Sequence, residues 1–117
     1  MNKITIIRGD DYNMPLTLKI KKTDEAYNLK GCTIYFTVKE KTKIGVENDN
    51  TFIIAKDITT HVDEGAGQSM LILESKDTSK PAGIYVYDMK IKTLGWELHS
   101  TNRGDFEIKE NVTKRPI

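Results

Sequence analysis

The sequence predicts an all-β protein: an antiparallel β-sandwich of about seven short strands. Three observations point there. Apolar residues alternate with a period of two in several runs, most clearly Cys32, Ile34, Phe36 and Val38 against Thr33, Tyr35, Thr37 and Lys39. Clusters of glycine, asparagine and aspartate separate the runs at short intervals. No stretch of a dozen residues carries the 3.6-residue apolar period of an amphipathic helix.

In chain order, Lys3 to Ile7 is β-branched and stops at Arg8-Gly9-Asp10-Asp11, which supplies turn chemistry; it reads as a first edge strand. Met14, Leu16, Leu18 and Ile20 form a half-buried strand, with Pro15 near its start, where a missing N–H is tolerable. Thr23 to Gly31 reads as a connecting loop with Leu29 tucked in, and Cys32 to Lys39 as the next strand. Lys41 to Asn50 is charged and lacks apolar periodicity, as an exposed excursion would. Thr51 to Lys56 and Ser69 to Leu73 resemble a hairpin around the glycines of Asp63 to Gly67. Asp77 to Ala82 is expected to form a turn or a single helical turn.

Gly83 to Ile91 is the most β-prone run, and the rest of the chain reads as its partners. Tyr85, Tyr87, Met89 and Ile91 share one face and Ile84, Val86, Asp88 and Lys90 the other. The first is the inner face, because phenols bury their rings while keeping a hydrogen bond, whereas Asp88 and Lys90 would need charged partners. Thr93-Leu94-Gly95 reverses the chain. Trp96 and Leu98 begin the last strand, which Asn102-Arg103-Gly104 interrupts with a bulge or kink before Phe106 and Ile108. Residues 1–111 thus form one sandwich domain and residues 112–117 a short tail expected to fray.

A chain of 117 residues suits one core. Eighteen basic and seventeen acidic side chains leave a net charge of +1, so no global field draws it to nucleic acid or a membrane. No apolar run is long enough to span a bilayer, and no signal region opens the chain, so synthesis in a cytosol is expected. Cys32 is the one cysteine, which excludes an intrachain disulfide and cysteine-based zinc sites.

No catalytic, metal or cofactor site is expected. His61 and His99 sit in polar contexts that match neither a nucleophile elbow nor a metal-ligand spacing, and both read as surface histidines. Asp10-Asp11 and Asp63-Glu64 are adjacent pairs whose side chains diverge on a strand, and Asn48-Asp49-Asn50 lacks EF-hand ligand spacing. Arg8-Gly9-Asp10 and Arg103-Gly104-Asp105 resemble the integrin-recognition tripeptide, yet glycine at positive φ and aspartate bonded to nearby backbone account for both. Asn111-Val112-Thr113 fits a glycosylation acceptor in a chain with no sign of secretion. Trp96, Tyr12, Tyr27 and Tyr35 offer an aromatic platform for sugar or protein. The candidate partner-binding residues are Ile4 and Ile6 at an edge strand, with Tyr12, Trp96, His99 and Arg103.

Asp77-Thr78 leading to Gly83-Ile84-Tyr85-Val86-Tyr87 resembles the immunoglobulin corner pattern, with Tyr85 at the corner. Tyr87 stands where an antibody domain carries its second cysteine, so the resemblance implies an immunoglobulin-like sandwich with aromatic packing in place of the disulfide. The longer motif order is Arg8-Gly9-Asp10-Asp11, Leu16-Thr17-Leu18, Leu29 to Lys39, Lys56-Asp57-Ile58, Met70 to Leu73, Asp77-Thr78, Gly83 to Met89 and Gly104 to Ile108. It resembles the amino-terminal domain of bacteriophage baseplate upper proteins and related small phage or prophage structural proteins. That resemblance implies a non-enzymatic virion protein, made in the bacterial cytoplasm, that docks other virion proteins and copies of itself. It implies contact with host-surface glycans only through a partner protein. The carboxy-terminal extension of a baseplate upper protein does not follow Lys114-Arg115-Pro116-Ile117, which leaves free-standing adaptor, tail-assembly and capsid-decoration roles open. The rival expectations are a carbohydrate-binding or adhesive module using Trp96, and a small enzyme using a buried histidine.

Overall fold

The computed structural model describes residues 3–20, 22–44 and 52–114. Among the described residues, seven strands form two sheets: β1 (Ile4–Ile7), β2 (Tyr12–Thr17), β3 (Thr33–Lys39), β4 (Phe52–Ile58), β5 (Gln68–Leu73), β6 (Gly83–Lys92) and β7 (Leu98–Lys109). The larger sheet has the order β1-β7-β6-β3-β4, and the smaller holds β2 and β5 alone. The chain is an all-β sandwich, with β6 at the centre of the larger sheet. Asn48-Asp49-Asn50 and the end of the tail lie outside the described residues.

Period-two alternation builds the core. Tyr85, Tyr87, Met89 and Ile91 of β6 point inward, as do Ile34, Phe36 and Val38 of β3 and Phe106 and Ile108 of β7. Phe36 lies at their centre, its ring 5.7 Å from Tyr87 and 6.0 Å from Phe106, both tilted. The Tyr85 hydroxyl donates to the Pro81 carbonyl at 2.6 Å. Leu29 is fully buried and anchors the loop before β3.

Several elements depart from expectation. β1 pairs with β7 in parallel, Ile4 with Phe106 through Ile7 with Lys109, so the sandwich is not wholly antiparallel. β4 and β5 are no hairpin: β4 pairs with β3 and β5 with β2, because the 59–67 connection crosses from one sheet to the other. β2 starts at Tyr12 and ends at Thr17; beyond it Leu18 and Ile20 bond back to Tyr27 and Glu25 in a small turn of their own. β7 is not interrupted. Its bulge places one extra residue between Ser100 and Arg103, opposite the Asp88–Lys90 step of β6.

One helical turn, α1 (Ser75–Thr78), leads toward β6. Its start is fixed by side chains: Asp77 Oδ2 accepts the Glu74 N–H at 2.8 Å, and Asp11 Oδ1 accepts the Ser75 N–H at 2.7 Å. Thr78 donates its hydroxyl to the Asp10 carbonyl at 2.7 Å. The first Arg-Gly-Asp is therefore a structural corner: Arg8 pairs with Glu110, Gly9 takes φ +84° and its N–H reaches the Thr78 carbonyl. The second is neither a turn nor a positive-φ site. Gly104 lies within β7 opposite Tyr87, and Asp105 pairs with Lys41 at 4.0 Å.

Candidate interaction surfaces

The register of the larger sheet decides which outward side chains meet. Tyr35 of β3 lies between Asp57 of β4 and Lys90 of β6; Thr37 lies between Ala55 and Asp88, and Asp88 in turn faces Arg103 of β7. Strand twist curls these rows into an open trough of about 450 Å³ on the solvent side of the sheet. Four cationic side chains, Lys39, Lys90, Lys92 and Arg103, and two carboxylates, Asp57 and Asp88, line it with Tyr35, Val86 and Leu98. Among the described residues, neither Lys90 nor Arg103 forms an ion pair.

Trp96 stands at the end of this trough. It belongs to the β6–β7 turn and not to the last strand, because its φ of +67° swings the chain away from strand geometry. The indole is 79 % exposed, with the Lys92 ammonium over its ring at 4.5 Å and 5.9 Å from the Tyr35 ring. The fourfold aromatic platform does not form: Tyr12 and Tyr27 pack against the core, leaving Tyr35 and Trp96 joined through Lys92.

A second cavity of about 310 Å³ opens between the two sheets and brings Ile4 and Tyr12 together beside Met14, Leu16 and Met89. Ile4 and Ile6 face the core, at 5 % and 4 % exposure, so an incoming strand would meet the backbone of β1 and not these side chains. His99 is exposed and lies 3.2 Å from Glu97, outside both cavities.

His61 is a half-buried joint, not a freely solvated surface histidine. Its Nε2 lies 2.8 Å from the Cys32 carbonyl, which can only accept, so Nε2 carries the proton; its Nδ1 lies 2.8 Å from the Ser69 hydroxyl. A serine against an imidazole is the start of a nucleophile–base pair, but here the third partner is a carbonyl, and Ser69 is 2 % exposed. Burial pushes the Cys32 thiol upward, against a backbone hydrogen bond that lowers it, so the thiolate is disfavoured. No group of three metal-ligating side chains is found among the described residues, and no helix there is long and apolar enough to cross a membrane.

The residues missed from sequence, Lys90, Lys92, Val86 and Leu98, each carried a signal only as outward positions of alternating strands. Their union depends on how β3, β6 and β7 align, which no local pattern encodes.

No family model matches the sequence, and no curated protein matches it. Among solved structures, the chain is similar to the N-terminal domain of phage TP901-1 ORF48, with 10% sequence identity and a TM-score of 0.56. The match covers 92% of this chain and 85% of that one. The two share a fold.

Proposed function

We propose that this protein is a non-enzymatic structural component of a tailed-phage or prophage particle, a β-sandwich adaptor that docks other virion proteins and copies of itself. Its place is the tail-baseplate or fibre-attachment region or the capsid. The observation that carries this reading is the agreement of fold, over nearly the whole chain, with a domain of a phage protein. A binding role also suits a surface whose notable features are an open trough and an exposed tryptophan. The test is the mass of the purified protein by light scattering, followed by co-sedimentation with particles from an induced lysate. A symmetric oligomer or particle-bound protein is the expected result. A monomer that ignores particles overturns the proposal.

The exposure of Trp96 favours one alternative, an adhesive module that stacks sugar rings on the indole. That reading requires saturable glycan binding lost in Trp96→Ala while the fold survives. Silence across a broad glycan array removes it.

A further inference from the structure

We propose that the concave outer face of the larger sheet binds an extended segment of a partner protein that reads apolar, acidic, acidic, apolar at alternate positions. Four successive levels along β6 and β7 set this pattern. They hold Val86 beside Asp105, Asp88 beside Arg103, Lys90 beside Ser100, and Lys92 beside Leu98. The outer two levels offer Val86 and Leu98 as apolar surface, beside an Asp105 already paired with Lys41 and a Lys92 held over the Tyr35 and Trp96 rings, and the inner two each offer an exposed cation without an ion partner among the described residues.

Spacing fits an extended chain. Diagonal neighbours on adjacent strands of a regular ladder lie about 7–8 Å apart, and Lys90 and Arg103 stand diagonally across the bulge. Side chains on one side of an extended segment repeat about every 6.8 Å. Two carboxylates two residues apart can therefore meet both cations at once, Arg103 with the bidentate geometry its guanidinium allows.

Charge chooses among occupants. Even with Lys39 left out, Lys90, Lys92 and Arg103 against Asp57 and Asp88 leave the trough net positive, so a second copy of the same face would bring like charges together. A nucleic acid would have to lay phosphates beside Asp57 and Asp88, which face the same trough. An acidic segment running over β6 and β7 meets Lys90, Lys92 and Arg103 against Asp88 alone among the trough's carboxylates, and avoids Asp57, which lies on β4, two strands from β6.

The inference goes beyond the virion reading and is tested on the isolated chain, so the two can fail separately. The probe is a labelled synthetic peptide with Val, Glu, Glu and Leu at alternate positions separated by Thr, titrated by fluorescence anisotropy. Saturable binding is expected, weakening as salt rises. Replacing both Glu by Gln in the peptide, or combining Lys90→Gln with Arg103→Gln in the protein, should weaken it at least about tenfold, since both charge-assisted contacts are lost. Lys30→Gln, on the loop before β3, should leave it unchanged. Equal binding of the Gln peptide, unchanged binding by the double variant, or tighter binding of a single-stranded oligonucleotide would overturn the proposal. Should the double variant fail to fold, amide shifts on the unaltered chain decide. Peptide-induced shifts at Val86, Lys90 and Arg103 support the site, and shifts confined elsewhere refute it.

Discussion

Lys56 reaches from the core-facing side of edge strand β4 to the carboxylate of Asp77, 2.8 Å away, and closes that flank of the sandwich. Lys56 is paired with Phe36 in the β3–β4 register, a row whose other members are apolar. An inward charge on an edge strand also discourages a foreign strand from adding there. Burial pushes the Asp77 carboxyl upward, but the Lys56 hydrogen bond, the Glu74 N–H and the charges of Lys56 and Lys76 outweigh it, so the group rests below its ordinary value.

Breaking this pair from one side leaves a poorly solvated charge. Lys56→Met or Asp77→Asn should each cost about 1–3 kcal/mol in chemical denaturation, and the double variant should cost less than the two together. Because the folded Asp77 is depressed, its contribution is fully present above the ordinary value of 3.8 and is lost as pH falls through the lower folded value. The stability gap between wild type and Asp77→Asn should therefore narrow in strong acid; a gap that stays constant from neutral pH into strong acid would contradict the assignment.

Among the described glycines, Gly67 is the least tolerant of a side chain. It takes φ +68°, and an added Cβ would stand 2.3 Å from the Leu18 carbonyl and 2.9 Å from that of Tyr27. Gly67→Ala should lower stability by about 2–4 kcal/mol or prevent folding, since only backbone could move aside. Gly65→Ala, two residues away and open to solvent apart from Asp63 Oδ1 at 3.9 Å, should change stability by less than about 1 kcal/mol. Thermal melts of the pair separate a steric cause from a general sensitivity of this turn.

His61→Ala should cost about 1–3 kcal/mol, because the buried Ser69 hydroxyl and the Cys32 carbonyl both lose their partner. Nitrogen-15 spectra of the ring should report a proton on Nε2. A ring with no proton on Nε2 would contradict the bridge.

Tyr85→Phe keeps the ring and removes the donor to Pro81, and should cost about 1–2 kcal/mol. Burial chiefly, with the Glu40 charge adding to it, pushes the Tyr85 phenol above its ordinary value of 10.0. Its contribution is thus complete below 10.0 and is lost as pH rises through the folded value. Wild type and Tyr85→Phe should converge in alkali, as followed by near-ultraviolet absorbance of the phenols.

What could be read in advance follows period-two chemistry. The inner face of β6 was legible because two tyrosines stood opposite an aspartate and a lysine, and the β7 bulge because Asn102-Arg103-Gly104 broke an otherwise apolar rhythm. Lys56 was illegible for the same reason in reverse: a charged side chain reads as outward, and only its reach to Asp77, 21 positions on, explains why it stands on the inner face with Ile54 and Ile58. The trough stayed hidden because Lys90 and Arg103 become neighbours only through a register that includes the bulge. Trp96 could not be oriented until a left-handed backbone at that residue was known to turn it outward.

The parallel pairing of β1 with β7 has a mechanical consequence. Traction applied between the start of β1 and the end of β7 would pull the two strands past one another along their length. The hydrogen bonds from Ile4–Phe106 to Ile7–Lys109 would then be loaded together, where an antiparallel pair pulled from the same end would open one rung at a time. The seam between the first and last strands is thus a shear joint, built to hold under tension along the strand axis and to give way when peeled from the side.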